Sequence, residues 1–254
     1  MLTQNIKLIQ DRLLEMAKAI THILENNNIP YFLAWGSLLG AVRHKGFIPW
    51  DDDFDLYLFS DTYDKAIELL RNELPNDMFV EDEKSEPLYF HGWAHVKDIN
   101  SQTTCELFPQ DGVYAHKGIS IDLYKTTKVK ESQEKIFLTE EHISYLNRRY
   151  SKGLIDILEY TERINKLEAQ LKELKETVEK TEYDNEIYAC PPQGSNNEFF
   201  YPNELFPLKK YKFEDTQFLG PANAEVFLAR SYNHYLQLPP KDKRLPHYSD
   251  VTFL

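Results

Sequence analysis

Cysteine is scarce: Cys105 and Cys190 are the only two in 254 residues. They lie far apart and fit no metal-ligand spacing, so the chain has no disulfide framework and a reducing cytoplasm is the expected compartment. Cationic charge is also in short supply. Lys and Arg number 29 against 41 Asp and Glu, a net charge of −12. The lack of a basic surplus to release counterions argues against a nucleic-acid backbone as the main partner, although a local basic patch remains open. No apolar run is long enough to span a bilayer. The longest, Tyr31 to Val42, is interrupted by Gly36, Ser37 and Gly40. Lys7, Asp11, Arg12 and Glu15 break up the apolar residues near the start, unlike a signal peptide. Peripheral contact with the inner face of a membrane stays open. Internal repeats and low-complexity tracts are lacking as well.

What is present is aromatic: 16 Tyr and 15 Phe suggest aromatic cores and ligand walls. Ile6, Ile9, Leu13, Met16, Ile20 and Ile23 recur at spacings of three and four, predicting an amphipathic helix that ends at the Asn26–Pro30 cluster. A short strand is expected at Tyr31–Trp35, then a Gly36-Ser37 break, one or two helical turns to Arg43, and a loop to Trp50. Asp52–Phe59 predicts a strand with Phe54, Leu56 and Leu58 on one face and Asp53, Asp55 and Tyr57 on the other. Asp61 is placed to cap the next helix. Further strands are expected at Met78–Val80, Tyr89–Asp98, Thr103–Phe108 and Ile119–Tyr124, with a hairpin turn at Asp111-Gly112. Helices follow at Glu131–Arg149 and Leu154–Lys180. Ile164, Leu167, Leu171, Leu174 and Val178 give the second a seam of about two heptads, which suits packing within its own lobe better than a coiled-coil dimer. Residues Tyr188–Pro202 read as an irregular connection. A strand near Tyr211–Phe213 and a helix over Ala222–Tyr235 complete the chain.

The run Asp51-Asp52-Asp53-Phe54-Asp55 is the sharpest chemical signal. Carboxylates two apart on a strand share a face, and two like charges ~4 Å apart repel by about 4 kcal/mol at an effective dielectric of about 20. A cation, a proton or full solvation must offset that. Oxygen-only ligation suits Mg²⁺ or Mn²⁺. Asp122, in Ile119-Ser120-Ile121-Asp122-Leu123, lies opposite the apolar alternation of its own strand and offers a third acid. A solvated turn is the plainer reading of an acid run, but this one leads straight into an apolar strand, where acids are poor formers. The Gly36-Ser37 step between strand and helix offers backbone N–H groups and a hydroxyl to a phosphate. Ser37 precedes Asp53 by sixteen residues, the spacing of the nucleotidyltransferase fold. Arg43 and Lys45 are candidate diphosphate ligands, and Lys97 a candidate to neutralise charge on the leaving group. His91, His95 and His247 are weaker candidates, as are Trp35, Trp50 and Trp93 for a cation–π cage.

The contiguous stretch Ala34 to Asp55 (AWGSLLGAVRHKGFIPWDDDFD) resembles the signature of the LicD family of phosphocholine and fukutin-related transferases. Two looser blocks agree: Trp93–Asp98 with Thr103, Thr104 and Ile121-Asp122, and Phe206–Phe213 with Tyr232–Pro240 and His247. The resemblance implies an α+β, nucleotidyltransferase-like fold: a mixed β-sheet flanked by helices, with an additional helical segment. It also implies a Mg²⁺- or Mn²⁺-dependent phosphotransferase. Such an enzyme would take a CDP-linked donor, such as CDP-choline, and a glycan or glycolipid acceptor belonging to a cell-surface polysaccharide. Asp53, Asp55 and Asp122 match the metal-binding and catalytic acids, and Gly36 and Ser37 the phosphate-binding turn. The implied reaction is an in-line displacement, with Asp122 or Asp52 as the proton acceptor. His95 stands where Lys is frequent, Tyr124-Lys125 replaces a usual Phe-Pro, and Asn233-His234 a common Gly-Asp, which leaves donor and acceptor open. Alternatives are transfer of an alditol phosphate, a sugar phosphate or a nucleotidyl group, or nucleotide binding without turnover. The expected organisation is a catalytic core with its N-terminal helix over 1–130, a helical segment over 131–190, and a C-terminal part over 191–254 that packs on the core and completes the site.

Overall fold

The structure is a computed structural model that describes residues 2–104, 112–178, 184–190 and 199–254. Cys105, the end of the Thr103–Phe108 strand and Asp111 of the expected turn lie outside the described residues. The first helix, α1 (Leu2–Asn26), buries Ile9, Leu13, Met16, Ile20 and Ile23, the stripe its periodicity marks out. It backs a mixed sheet whose strands run in the order β1 (Tyr31–Leu33), β2 (Phe54–Phe59), β6 (Ser120–Lys130), β4 (Ala94–Asp98) and β3 (Met78–Glu81). β2 and β6 are parallel and the other neighbours antiparallel. Helix α2 (Trp35–Arg43) follows β1, and α3 (Tyr63–Glu73) follows β2. This is the α+β, nucleotidyltransferase-like architecture: a curled mixed sheet flanked by helices.

Phe54, Leu56, Leu58, Ile121, Leu123, Ala94 and Val96 are 0–1% exposed and alternate onto one sheet face, where they form the core with α1 and α3. Part of the opposite face is covered as well. All six residues of β2 are buried. Phe32, Tyr57, Phe200 and Phe227 join in ring contacts that carry the C-terminal part onto the sheet.

Several expected boundaries shift. Helix α2 begins at Trp35, which takes a left-handed φ of 41°. For a bulky residue that conformation is strained and needs surrounding structure to hold it. The expected strand at Tyr89–Asp98 is only β4. Tyr89 and Phe90 pack instead with Tyr114 in a separate aromatic plug, because large rings satisfy burial without a ladder. Asp61 does not cap α3, whose N-cap is Thr62. Strand β5 (Ser101–Thr104) pairs with β11 (Asp250–Phe253), a non-local pairing with no local turn signal. Helices α4 (Glu134–Ser151) and α5 (Ile157–Thr177) form a hairpin around Leu146, Ile155 and Ile164, with Asp156 capping α5 through Leu158 N–H and Glu159 N–H. Of the expected seam, Ile164 is buried and Leu167 packs against that cluster. Residues 186–189 return to the sheet as β7, which extends the second half of β6 and pairs with β8 (Phe199–Phe200). After α6 (Pro202–Leu205), a hairpin of β9 (Lys209–Phe213) and β10 (Thr216–Gly220) leads to α7 (Ala224–Tyr232). No helix among the described residues is long and apolar enough to cross a membrane.

One buried ion pair locks α1 to the far edge of the sheet. Arg12 donates through Nε and Nη2 to Asp98 Oδ1 at 3.1 and 2.9 Å, and through Nη2 to Asp77 at 2.8 Å. Asp98 is fully buried, so deleting Arg12 strands its charge. Arg12→Ala is expected to cost about 3–5 kcal/mol, or a melting temperature lower by roughly 6–20 °C. Arg12→Met combined with Asp98→Leu should recover most of that in a thermal melt. A single variant as stable as wild type would show that the pair does not hold the helix.

Candidate active site

Three strands present their polar alternation on one face, and register stacks it into rows. Asp55 is directly opposite Asp122, and Tyr57 opposite Tyr124. On the other side of β6, His95 is opposite Asp122 and Lys97 opposite Ser120. Trp93, one step before β4, meets Tyr124 with ring centroids 5.0 Å apart. The floor is therefore an acid row, Asp55–Asp122–His95, beside an aromatic row in which Tyr124 and Trp93 line the cleft and Tyr57 is buried at the end. Asp53 and Lys97 lie on the side away from the aromatics. This floor opens into a cleft of about 1400 Å³.

The rim comes from loops. Gly36 at the start of α2 leans on the acids so closely that a Cβ there would lie 2.9 Å from Asp51 Oδ2 and 3.9 Å from Asp53 Oδ1. Ser37 Oγ accepts the Asp55 N–H at 2.9 Å, which joins the helix start to the strand. Across the cleft, Asp52 is fully buried and grips the C-terminal segment. Its Oδ1 accepts the His247 N–H at 2.8 Å and its Oδ2 the Tyr248 N–H at 2.9 Å. His247 Nδ1 lies 3.1 Å from Asp52 Oδ1 and 3.4 Å from Asp53 Oδ2. The hydrogen bond to Asp52, with the neighbouring charges of Asp53 and Asp51, lifts His247 to about 9.

Burial, then mutual repulsion, raises the carboxyl pKa values of Asp51 and Asp55 well above the usual range. Asp53 is raised as well, chiefly by burial, with the charges of Asp52 and Asp122 adding to it and His247 opposing. Acids held this way are groups for which a cation is the natural partner. Asp53 Oδ1 is buried without a hydrogen-bond partner. An orphaned buried oxygen, an all-oxygen donor set and a glycine-lined wall fit a divalent cation of the Mg²⁺ or Mn²⁺ type. The tightest set of potential ligand atoms among the described residues is a different one: Asp51, Asp52 and His247, all within 4.8 Å. Asp52, however, already spends both oxygens on backbone N–H groups. Within that set Asp52 and His247 anchor the C-terminal segment while Asp51 lines the cleft, and the same bonds leave Asp52 poorly placed to accept a proton from substrate.

Of the residues expected at the site, the cleft is lined by Gly36, Asp53, Asp55, Asp122 and Lys97. Ser37, Arg43 and Lys45 are not among its lining. Ser37 is turned inward to Asp55. Arg43 donates to the Tyr235 carbonyl at 2.8 Å, and Lys45 to the Val42 carbonyl at 3.1 Å, so both brace loops. Sequence reasoning missed two contributors. Glu81 on β3 lies beside His95, and no local pattern distinguishes it from an ordinary strand-end acid. The α4–α5 hairpin forms a cleft wall through Tyr145, Arg148, Arg163 and Lys166, which read alone as solvated helix positions.

Residues 28–148 match the family described as LicD/FKTN/FKRP, nucleotidyltransferase domain. They are a LicD-family domain. Over 249 residues, covering 91% of each chain, the protein is 26% identical to the lipopolysaccharide cholinephosphotransferase LicD of Haemophilus influenzae. It is also 26% identical over 241 residues to an uncharacterized protein of Rickettsia typhi, covering 95% of this chain and 50% of that one. A segment of 45 residues is 47% identical to the human ribitol 5-phosphate transferase FKRP, which is 18% of this chain and 9% of that protein. The LicD-family domain spans β1 to α4, and so contains the whole floor of the cleft but neither α5 nor the His247 segment.

A carboxyl group with a raised folded pKa binds its proton more tightly folded than unfolded. It therefore destabilises the fold as pH rises from the ordinary 3.8 through the folded value. Asp55→Asn removes one such charge. In EDTA at neutral pH the variant is expected to melt about 2–4 °C above wild type, about 1 kcal/mol, with the gap shrinking as pH falls toward 3.8. Added Mg²⁺ should raise the wild-type melting temperature and leave the variant's unmoved. An equal shift in both would remove Asp55 from the cation site.

Proposed function

We propose that this LicD-type phosphotransferase moves phosphocholine from CDP-choline to a hydroxyl of a cell-surface glycan or its precursor. The observation that carries the reading is the adjacency of the two rows on the cleft floor. Rows two residues apart on a strand are about 6.6 Å apart, a span the short ammonium arm of phosphocholine can bridge. The phosphate would then meet the acids while the quaternary ammonium meets Trp93 and Tyr124 by cation–π contact. The likeness to a cholinephosphotransferase along most of both chains supports the same donor.

Asp53, Asp55 and Asp122 would hold the divalent cation, which supplies neutralisation of the donor diphosphate and of the acceptor oxygen when bound. Gly36, at the N-terminus of α2, lines the cleft, where backbone N–H groups of the first helical turn would meet a donor phosphate. Lys97, which is 8% exposed, adds fixed positive charge on the side of the floor away from the aromatics. Beyond the four aspartates, the cleft lining carries six Lys and Arg residues and one Glu, in a chain of net charge −12. That segregation suits anionic substrates that enter past the α4–α5 wall. Asp122 is the carboxylate best placed to accept the acceptor's proton, since Asp52 is committed to the C-terminal segment. Positioning and charge stabilisation then carry most of the rate.

Purified protein with Mg²⁺ should release CMP from CDP-choline faster than from CDP-ribitol. Asp55→Asn should lower kcat by about 10³-fold. Trp93→Leu should raise KM for CDP-choline roughly tenfold, equal to about 1.4 kcal/mol of cation–π contact, without a matching loss for CDP-ribitol. Faster release from CDP-ribitol would move the assignment to alditol phosphate transfer, the reaction named for the 47%-identical segment's relative. Tight nucleotide binding without turnover would make the domain a recognition module.

A further inference from the structure

The acid row does not stop at His95. Glu81 on β3 is directly opposite His95, so four strands carry Asp55, Asp122, His95 and Glu81 in one line across the sheet. Glu81 is 0% exposed and His95 4%. His95 Nδ1 is 3.2 Å from Glu81 Oε2, and His95 Nε2 faces Asp122 Oδ1 at 3.5 Å. Lys97 Nζ lies 4.0 Å from the same Glu81 oxygen, while Glu81 Oε1 has no hydrogen-bond partner. On the other side, the Tyr124 hydroxyl donates to Asp122 Oδ2 at 3.0 Å.

We propose that Glu81 and His95 are positioning residues that, with Tyr124, clamp the Asp122 carboxylate in its working orientation. A fully buried carboxylate with an orphaned oxygen is expensive to keep, and packing alone would be served better by an apolar residue. What the charge does here is hold the β4 side chains. The ring lies between Glu81 Oε2 and Asp122 Oδ1, so Glu81 sets its orientation from one side while its other edge bears on Asp122. The ring edge 3.5 Å away limits where Asp122 Oδ1 can move, while the Tyr124 hydroxyl holds Oδ2 by a hydrogen bond. Groups behind a metal ligand commonly change affinity or activity by about 10–100-fold when removed. The clamp deepens the proposed function and rests on Asp122 holding a cation.

The test compares wild type with His95→Leu, His95→Lys and Tyr124→Phe. Mn²⁺ affinity is measured by electron paramagnetic resonance without donor, CMP release from CDP-choline with it, and stability by thermal melt. His95→Leu is expected to weaken Mn²⁺ binding at least tenfold and to lower kcat by about 10–100-fold with little change in KM. His95→Lys restores a donor between the two carboxylates and is expected to recover most of both losses. Tyr124→Phe frees the other oxygen and should weaken Mn²⁺ by a smaller factor, which keeps the test open if the leucine variant does not fold. Wild-type Mn²⁺ affinity in His95→Leu overturns the clamp, as does a folded His95→Lys variant no better than the leucine one. The Mn²⁺ measurement needs no donor. A clamp that passes it while no CDP-linked donor is turned over would sink the functional reading alone.

Discussion

The structure depends on holding like charges together on a sheet. In-register pairing of the parallel strands β2 and β6 sets Asp55 against Asp122, and the loop before β2 adds Asp51 and Asp53. Repulsion among these groups works against folding. What overcomes it is the other face of the same strands, where Phe54, Leu56, Leu58, Ile121 and Leu123 are sealed against α1 and α3. Because a strand's side-chain period is two, the acids cannot move off the cleft without exposing that core. Local electrostatic strain is thus tied to the least negotiable packing in the molecule.

Other elements are arranged around the same constraint. Asp52, in the middle of the acid run, takes no part in the cleft and spends its charge on the N–H groups of His247 and Tyr248. The C-terminal segment is fastened beside the acids by that grip and by the pairing of β11 with β5. Arg43 adds a hold on the Tyr235 carbonyl. Residues from near both ends of the chain therefore meet at one site, and the family-matching domain alone lacks the His247 wall.

The α4–α5 hairpin shows how a charge pattern changes meaning with place. Its core is small, built on Leu146, Ile155 and Ile164. Its outer positions look like any solvated helix until the fold turns one stripe toward the cleft. There Arg148, Arg163 and Lys166 counter the acidity of the chain as a whole. Net charge argues against a nucleic-acid backbone as main partner, yet it hides a basic wall suited to smaller anions.

The acid run leading into an apolar strand, an acid on the polar alternation of a second strand and the helix periodicities are local patterns, readable because period and spacing are properties of contiguous residues; the expected start of the strand at Asp52 shifts to Phe54, which leaves Asp53 in the loop. The contiguous Ala34–Asp55 stretch likewise carries the resemblance to the LicD family, whose domain residues 28–148 match. Strand neighbours were not readable. That Asp122 sits at the level of Asp55, that Glu81 lies behind His95, and that Arg43 and Lys45 brace loops away from the cleft depend on pairings between segments far apart in the chain. Such pairings are chosen by the packing of the whole core and by loop closure, terms to which no single stretch of sequence holds the key.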